Sequence, residues 1–140
     1  MQQSRQHLGG VYNQTSNDIR ITVTPSFLVD QSAPEDNLYV WAYHVIIENL
    51  GNDTVQLMTR HWRITNALGE LQEVRGDGVI GEQPVLAPGD MFEYTSGCPL
   101  GTPSGFMIGS YQMKAGDGSS FDAEIPAFSL DSPYGHGRVH

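Results

Sequence analysis

The residues whose type and spacing best suit chemistry are glycines. Gly76-Asp77-Gly78-Val79-Ile80-Gly81 fits G-x-G-x-x-G. In a dinucleotide-binding protein this run follows a strand and opens a helix, whose first N–H groups hold a pyrophosphate. Here Gln83-Pro84 and Pro88-Gly89 interrupt any following helix, and no strand–helix–strand unit completes the site. A glycine-rich loop still forms nests of backbone N–H groups that hold anions, with Arg75 adjacent as a cation. Asp77 opposes a phosphate there, because close like charges repel unless a cation lies between them. Two readings stay open. In one, Arg75, Gly76, Asp77, Gly78 and Gly81 form an anion loop that takes pyrophosphate or a nucleotide with Mg2+. In the other, which the residues favour, the glycines permit a tight connection.

Other reactive types are sparse. Cys98 is the only cysteine, so no intrachain disulfide or thiolate cluster forms, as suits a reducing compartment. Gly97 and Pro99 flank it in a bend, and nothing nearby in sequence activates the thiol. His136 and His140 are spaced i, i+4, but Pro133-Tyr-Gly-His-Gly137 is a poor helix former and the metal question stays unassigned. His44 and His61 lie mid-strand, where histidines pair with backbone or solvent. No Ser-His-Asp signature, G-x-S-x-G elbow or assignable carboxylate pair accompanies them. The expectation is a chain that is not an enzyme.

Strands must position these groups. Ile19, Ile21 and Val23 alternate with Arg20, Thr22 and Thr24, the pattern of a half-buried strand. After a polar loop at Asp30–Asn37, Tyr39, Trp41, Tyr43, Val45 and Ile47 make one apolar face of a Leu38–Asn49 strand. Its other face is also largely apolar, which predicts a central position. Thr54–Ala67 follows, with Met58, Arg60, Trp62 and Ile64 on one face, then a hairpin turn at Asn66–Gly69 and a strand over Glu70–Arg75. A strand around Phe92 and Tyr94 ends at Ser96-Gly97. Gly105–Lys114 and Ser119–Leu130 form a last hairpin. On the final strand Phe121, Ala123 and Ile125 share one parity and Phe128 and Leu130 the other, so a bulge or break at Pro126 and an edge position are expected. Seven or eight strands and no helix predict an all-β, two-sheet antiparallel sandwich like the immunoglobulin or fibronectin III fold. Trp41, Trp62, Tyr39 and Tyr43 read as core.

Bulk composition agrees. The 140 residues suit one domain, with 16% charged residues, 16 Gly and 8 Pro. A net charge of -9, with only 7 Lys+Arg, opposes direct nucleic-acid binding. No stretch is long and apolar enough to cross a bilayer and neither end reads as a targeting signal, so a cytoplasmic location is expected.

Tyr39-Val-Trp-Ala-Tyr43, Glu48-Asn-Leu-Gly51, Trp62-Arg-Ile-Thr65, Val74–Gly81, Gln83-Pro84, Leu86-Ala-Pro-Gly89, Phe92-Glu-Tyr94, Leu100-Gly-Thr-Pro103 and Gly109–Met113 occur in one order between about Ile19 and Leu130. Together they resemble the ApaG family. The resemblance implies a fibronectin III-like sandwich over 18–131, flanked by an N-terminal extension (1–17) expected to be disordered and a tail (132–140). It implies an indirect link to cobalt and magnesium resistance (CorD), protein contacts in eukaryotic relatives, and a pyrophosphate role proposed for the glycine loop. The expected function is a non-catalytic module for a protein partner, as a monomer or homodimer, docking through Asp30–Asn37, Gly76–Gly81 or Cys98–Ser104.

Overall fold

Period-two burial dictates the architecture, and Tyr39–Asn49 shows how. Tyr39, Trp41, Tyr43, Val45, Ile47 and Asn49 all point inward and are buried. Each large apolar side chain removed from water contributes about 1.5–3 kcal/mol. The computed structural model describes residues 5–6 and 10–134. Ten strands lie among them: β1 (Arg5–Gln6), β2 (Tyr12–Ser16), β3 (Ile19–Leu28), β4 (Tyr39–Asn49), β5 (Val55–Asn66), β6 (Leu71–Asp77), β7 (Val85–Leu86), β8 (Met91–Leu100), β9 (Ser104–Ala115) and β10 (Ser120–Asp131).

They form two antiparallel sheets packed face to face. The first has the order β1-β3-β4-β8, with β2 also paired to β3; the second has the order β10-β9-β5-β6, with β7 also paired to β5. β4 is central, as its two apolar faces require. Ile21, Val23, Phe27, Trp41 and Ile47 of the first sheet meet Trp62, Tyr111, Met113, Ile125 and Leu130 of the second. The fibronectin III-like sandwich expected from the sequence is the fold observed.

The count exceeds seven or eight because β1 and β7 have two residues each and β2 falls in the segment read as a disordered extension. That reading is corrected for Tyr12–Ser16. They pair with Ile19–Val23, and Tyr12 sets its ring 6.0 Å from Phe128. At the other end Ser132 is buried and its N–H donates to Pro103 O at 3.1 Å. The loop expected over Cys98–Ser104 is also shorter. β8 does not stop at Gly97, because Cys98 and Leu100 continue the inward parity of Tyr94 opposite Trp41 and Tyr39. Asp30–Asn37 contains two short 3-10 turns, at Val29–Gln31 and Pro34–Asp36.

Two phase changes let long strands bury apolar residues of both parities. On β10 the register slips between Ile125 and Phe128, so Ala123, Ile125, Phe128 and Leu130 all face the core. Pro126 lies in that slip, on an edge strand, as the sequence predicts. β5 has a second slip, between Leu57 and Thr59. Before it Val55 and Leu57 are buried, and after it Trp62 and Ile64.

Candidate binding site at the glycine hairpin

The slip on β5 builds the glycine loop. A bulge leaves one residue outside the ladder, here Met58, and frees its carbonyl. Met58 O accepts Gly78 N–H at 2.9 Å and the Gln83 side-chain amide at 2.9 Å. Val79 and Glu82 then exchange backbone hydrogen bonds, both 2.8 Å. This closes a two-residue hairpin through Ile80 (φ 43°) and Gly81 (φ 81°). Left-handed φ at both central residues is the signature of a type I′ turn. Gly78, itself at φ 63°, leaves no room for a side chain, since a Cβ there would sit 2.1 Å from Glu82 O. No helix follows Gly81; the chain turns back towards β7. The amides of Gly78, Val79 and Glu82 are engaged within the chain.

Arg60 pins the base of the hairpin. It lies opposite Gly76 on β6. Its guanidinium occupies the space a side chain at Gly76 would take, with Nη1, Cζ and Nη2 2.8–2.9 Å from that Cβ position. Nη1 donates to Asp77 O at 3.1 Å and to Gly78 O at 2.9 Å. Ile80, at the tip, is 58% exposed.

On the outer face of the second sheet, beside the hairpin, lies a cleft of about 440 Å³ whose lining includes Thr59, His61, Arg75, Asp77, Gln112 and Asp122. Of the five loop residues singled out from the sequence, Arg75, Gly76 and Asp77 line this cleft, whereas Gly78 and Gly81 shape the turn. Glu73 is approached from each side: His61 Nε2 lies within hydrogen-bond distance of Oε2 at 3.2 Å, and Arg75 Nη2 pairs with Oε1 at 3.8 Å. The cleft therefore carries both signs of charge.

The remaining candidates are placed as follows. His44, on the outer face of the first sheet, has Nδ1 2.7 Å from Thr95 Oγ1 and Nε2 2.8 Å from Glu93 Oε1. That hydroxyl–imidazole–carboxylate row is absent from the sequence reading, and strand register alone creates it by setting Thr95 directly opposite His44. Cys98 is buried, and burial pushes its thiol up to about 11. His136 and His140 lie outside the described residues. Among the described residues, no group of three or more His, Cys, Asp or Glu is placed to hold a metal ion. No helix among them is long and apolar enough to cross a membrane.

Reading the sequence missed the Met58 bulge and the role of Arg60. The signal for the first was available: Val55 and Leu57 have one apolar parity, Trp62 and Ile64 the other. Arg60 shares the parity of the buried Trp62, and its half-buried side chain also reaches the lining of the outer cleft.

Comparison with known proteins agrees with this geometry. Residues 29–115 match the family model of the ApaG domain. Protein ApaG of Rhodospirillum centenum is 61% identical over 128 residues, covering 91% of this chain and 98% of that protein. Protein ApaG of Parvibaculum lavamentivorans is 55% identical over 130 residues, covering 93% and 100%. The crystal structure of the ApaA protein from Bordetella pertussis is similar, with a TM-score of 0.81 at 48% identity over 83% of this chain and 94% of that one. A sandwich with this strand order, closed by this glycine hairpin and alike in sequence along nearly its whole length, belongs to the ApaG family.

Proposed function

We propose that the chain is a non-catalytic interaction module that docks a protein partner on the Gly76–Gly81 hairpin and the cleft beside it. Ile80 carries the reading. A β-branched residue in the left-handed region costs about 1–2 kcal/mol, and such strain concentrates at functional positions. Asn or Gly would adopt that turn more readily, and Ile80 buries little in exchange, being 58% exposed. An apolar side chain held out on a pinned hairpin, next to a cleft of mixed charge, suits a protein surface. Asp77 and Asp122 in the cleft oppose a polyanion. A non-catalytic role is supported by the raised Cys98 thiol and by histidines paired on open sheet faces. In this reading the chain acts in the cytoplasm, as a monomer or homodimer, and bears on cobalt and magnesium resistance only through its partner.

The test is a photo-crosslinking residue placed at Ile80 and, as a control, at Thr22 on the far sheet. The expected result is a specific adduct from position 80 in cell extract, competed by unlabelled protein and not by Ile80→Asn. No adduct, or the same adduct from position 22, contradicts the proposal.

A second reading, a ligand of pyrophosphate or nucleotide with Mg2+, rests on Arg75 and His61 sharing the cleft with Asp77 and Asp122. It requires calorimetric binding that depends on Mg2+ and is lost in Arg75→Ala. Binding that survives that substitution places the ligand elsewhere.

A further inference from the structure

The sandwich is closed along one side and open along the other. On the closed side Glu124 N–H of β10 donates to Ser16 Oγ of β2 at 2.9 Å, and Asn17 Nδ2 donates to Asp122 O at 3.0 Å. On the open side no hydrogen bond joins β6 to β8 among the described residues. A slot of about 190 Å³ enters there, with Trp62, Val74 and Met107 among its apolar walls and Arg60, Tyr43, Gln72 and Ser96 as polar groups.

Arg60 is the unusual member. No carboxylate lies within ion-pair distance of it among the described residues, although the chain carries a net charge of -9. Nη1 is engaged by the Asp77 and Gly78 carbonyls, and contact with Gly76 fixes the guanidinium plane. Nε–H and the two N–H groups of Nη2 have no protein acceptor among the described residues. That free edge is the two-pronged donor that matches a carboxylate in plane. Arg60 is half-buried, so its free edge is held by solvent until a carboxylate displaces it, and no protein group among the described residues competes for the place. One cation balances one negative charge, and the volume holds roughly six waters at about 30 Å³ each, the size of a small acid.

We propose that this slot binds a small monocarboxylate with a compact apolar body, such as an aryl acid. The body packs against Trp62 and Val74, and the carboxylate accepts from Arg60 Nε and Nη2. The site lies on the inner side of β6; it shares Arg60 with the outer cleft, but Trp62 and Val74, which pack the apolar body, belong to the slot alone, so it stands whether or not the hairpin docks a partner.

The test is an NMR titration of the whole chain, reading amide, indole and guanidinium N–H signals. The probes are phenylacetate, its neutral isostere phenylacetamide, and benzylphosphonate. The expected result is saturable shifts at Arg60, Trp62 and Val74 with phenylacetate, and affinity at least about tenfold weaker for the amide and for Arg60→Lys. Ser96→Leu, which fills the slot and leaves Arg60 in place, is expected to abolish binding while keeping a folded amide spectrum, with some loss of thermal midpoint because Tyr43 loses its hydrogen bond to Ser96; Thr22→Ala leaves binding intact. Should Arg60→Lys fail to fold, the acid–amide pair and Ser96→Leu decide. Equal affinity for acid and amide, tighter binding of the phosphonate, shifts centred outside the slot, or no saturable shift would each overturn the proposal.

Discussion

Replacing Ile80 by Asn should make the protein more stable while weakening its binding surface. Ile80 sits at φ 43°, where a β-branched side chain costs about 1–2 kcal/mol. Asn tolerates that conformation, and little burial is lost because Ile80 is 58% exposed. The net gain is about 1 kcal/mol, which for a domain of this size raises the thermal midpoint by about 3–5 °C. Two neighbours calibrate the argument. Gly81→Ala meets nothing within 4 Å but stays at φ 81°, so it costs only the left-handed penalty, about 1–2 kcal/mol. Gly78→Ala places a methyl 2.1 Å from Glu82 O and 2.8 Å from its carbonyl carbon. The hairpin must open, with loss of the Val79–Glu82 pair and the Arg60 contact, at a cost of about 3 kcal/mol or more. Urea unfolding with a constant m-value reads all three. The predicted order is Ile80→Asn above the parent, then Gly81→Ala, then Gly78→Ala. An Ile80→Asn protein less stable than the parent, or a Gly78→Ala protein no worse than Gly81→Ala, would mean that left-handed strain does not govern this turn.

Other consequences are equally direct. Cys98, with its thiol raised to about 11, should react with a disulfide reagent at neutral pH about a hundredfold more slowly than a free cysteine, and at the normal rate once unfolded. Tyr43, Tyr94 and Tyr111 are also held above the usual tyrosine range, chiefly by burial. Raised values stabilise the fold below the unfolded-state pKa and lose that contribution as pH climbs. Stability measured by urea should therefore be level near neutrality and fall above about pH 9–10; a rise there contradicts the burial of these groups. Asn49, buried, donates through Nδ2 to Asp53 O (2.8 Å) and Leu86 O (3.0 Å) and accepts Gly51 N–H at 3.0 Å. Asn49→Ala leaves these groups unmatched and should cost about 2–4 kcal/mol by the same unfolding assay.

How much of this was legible depends on whether local pattern or distant partners decide. The face of β4 needed only alternation, and the slip at Pro126 only a change of apolar parity plus a missing N–H. The Met58 slip carried the same parity signal but no proline to mark it, and Arg60 and the half-buried His61 mask the phase between Leu57 and Trp62. β2 was illegible because Tyr12–Ser16 is polar and is ordered by pairing with Ile19–Val23. The prolines after the glycine run correctly excluded a following helix. Nothing local showed that Arg60, sixteen residues before Gly76, would lie against it, since a cross-strand register sets that contact. The slot between β6 and β8 likewise exists only once two sheets are stacked.

A hairpin closed by its own chain presents Ile80 and has its amides engaged, so that they cradle no phosphate. Amide hydrogen exchange of Gly78, Val79 and Glu82 tests this most directly. The prediction is slow exchange at all three, unchanged by saturating pyrophosphate with Mg2+. Rapid exchange in the free protein, with protection appearing only when pyrophosphate is added, would contradict it.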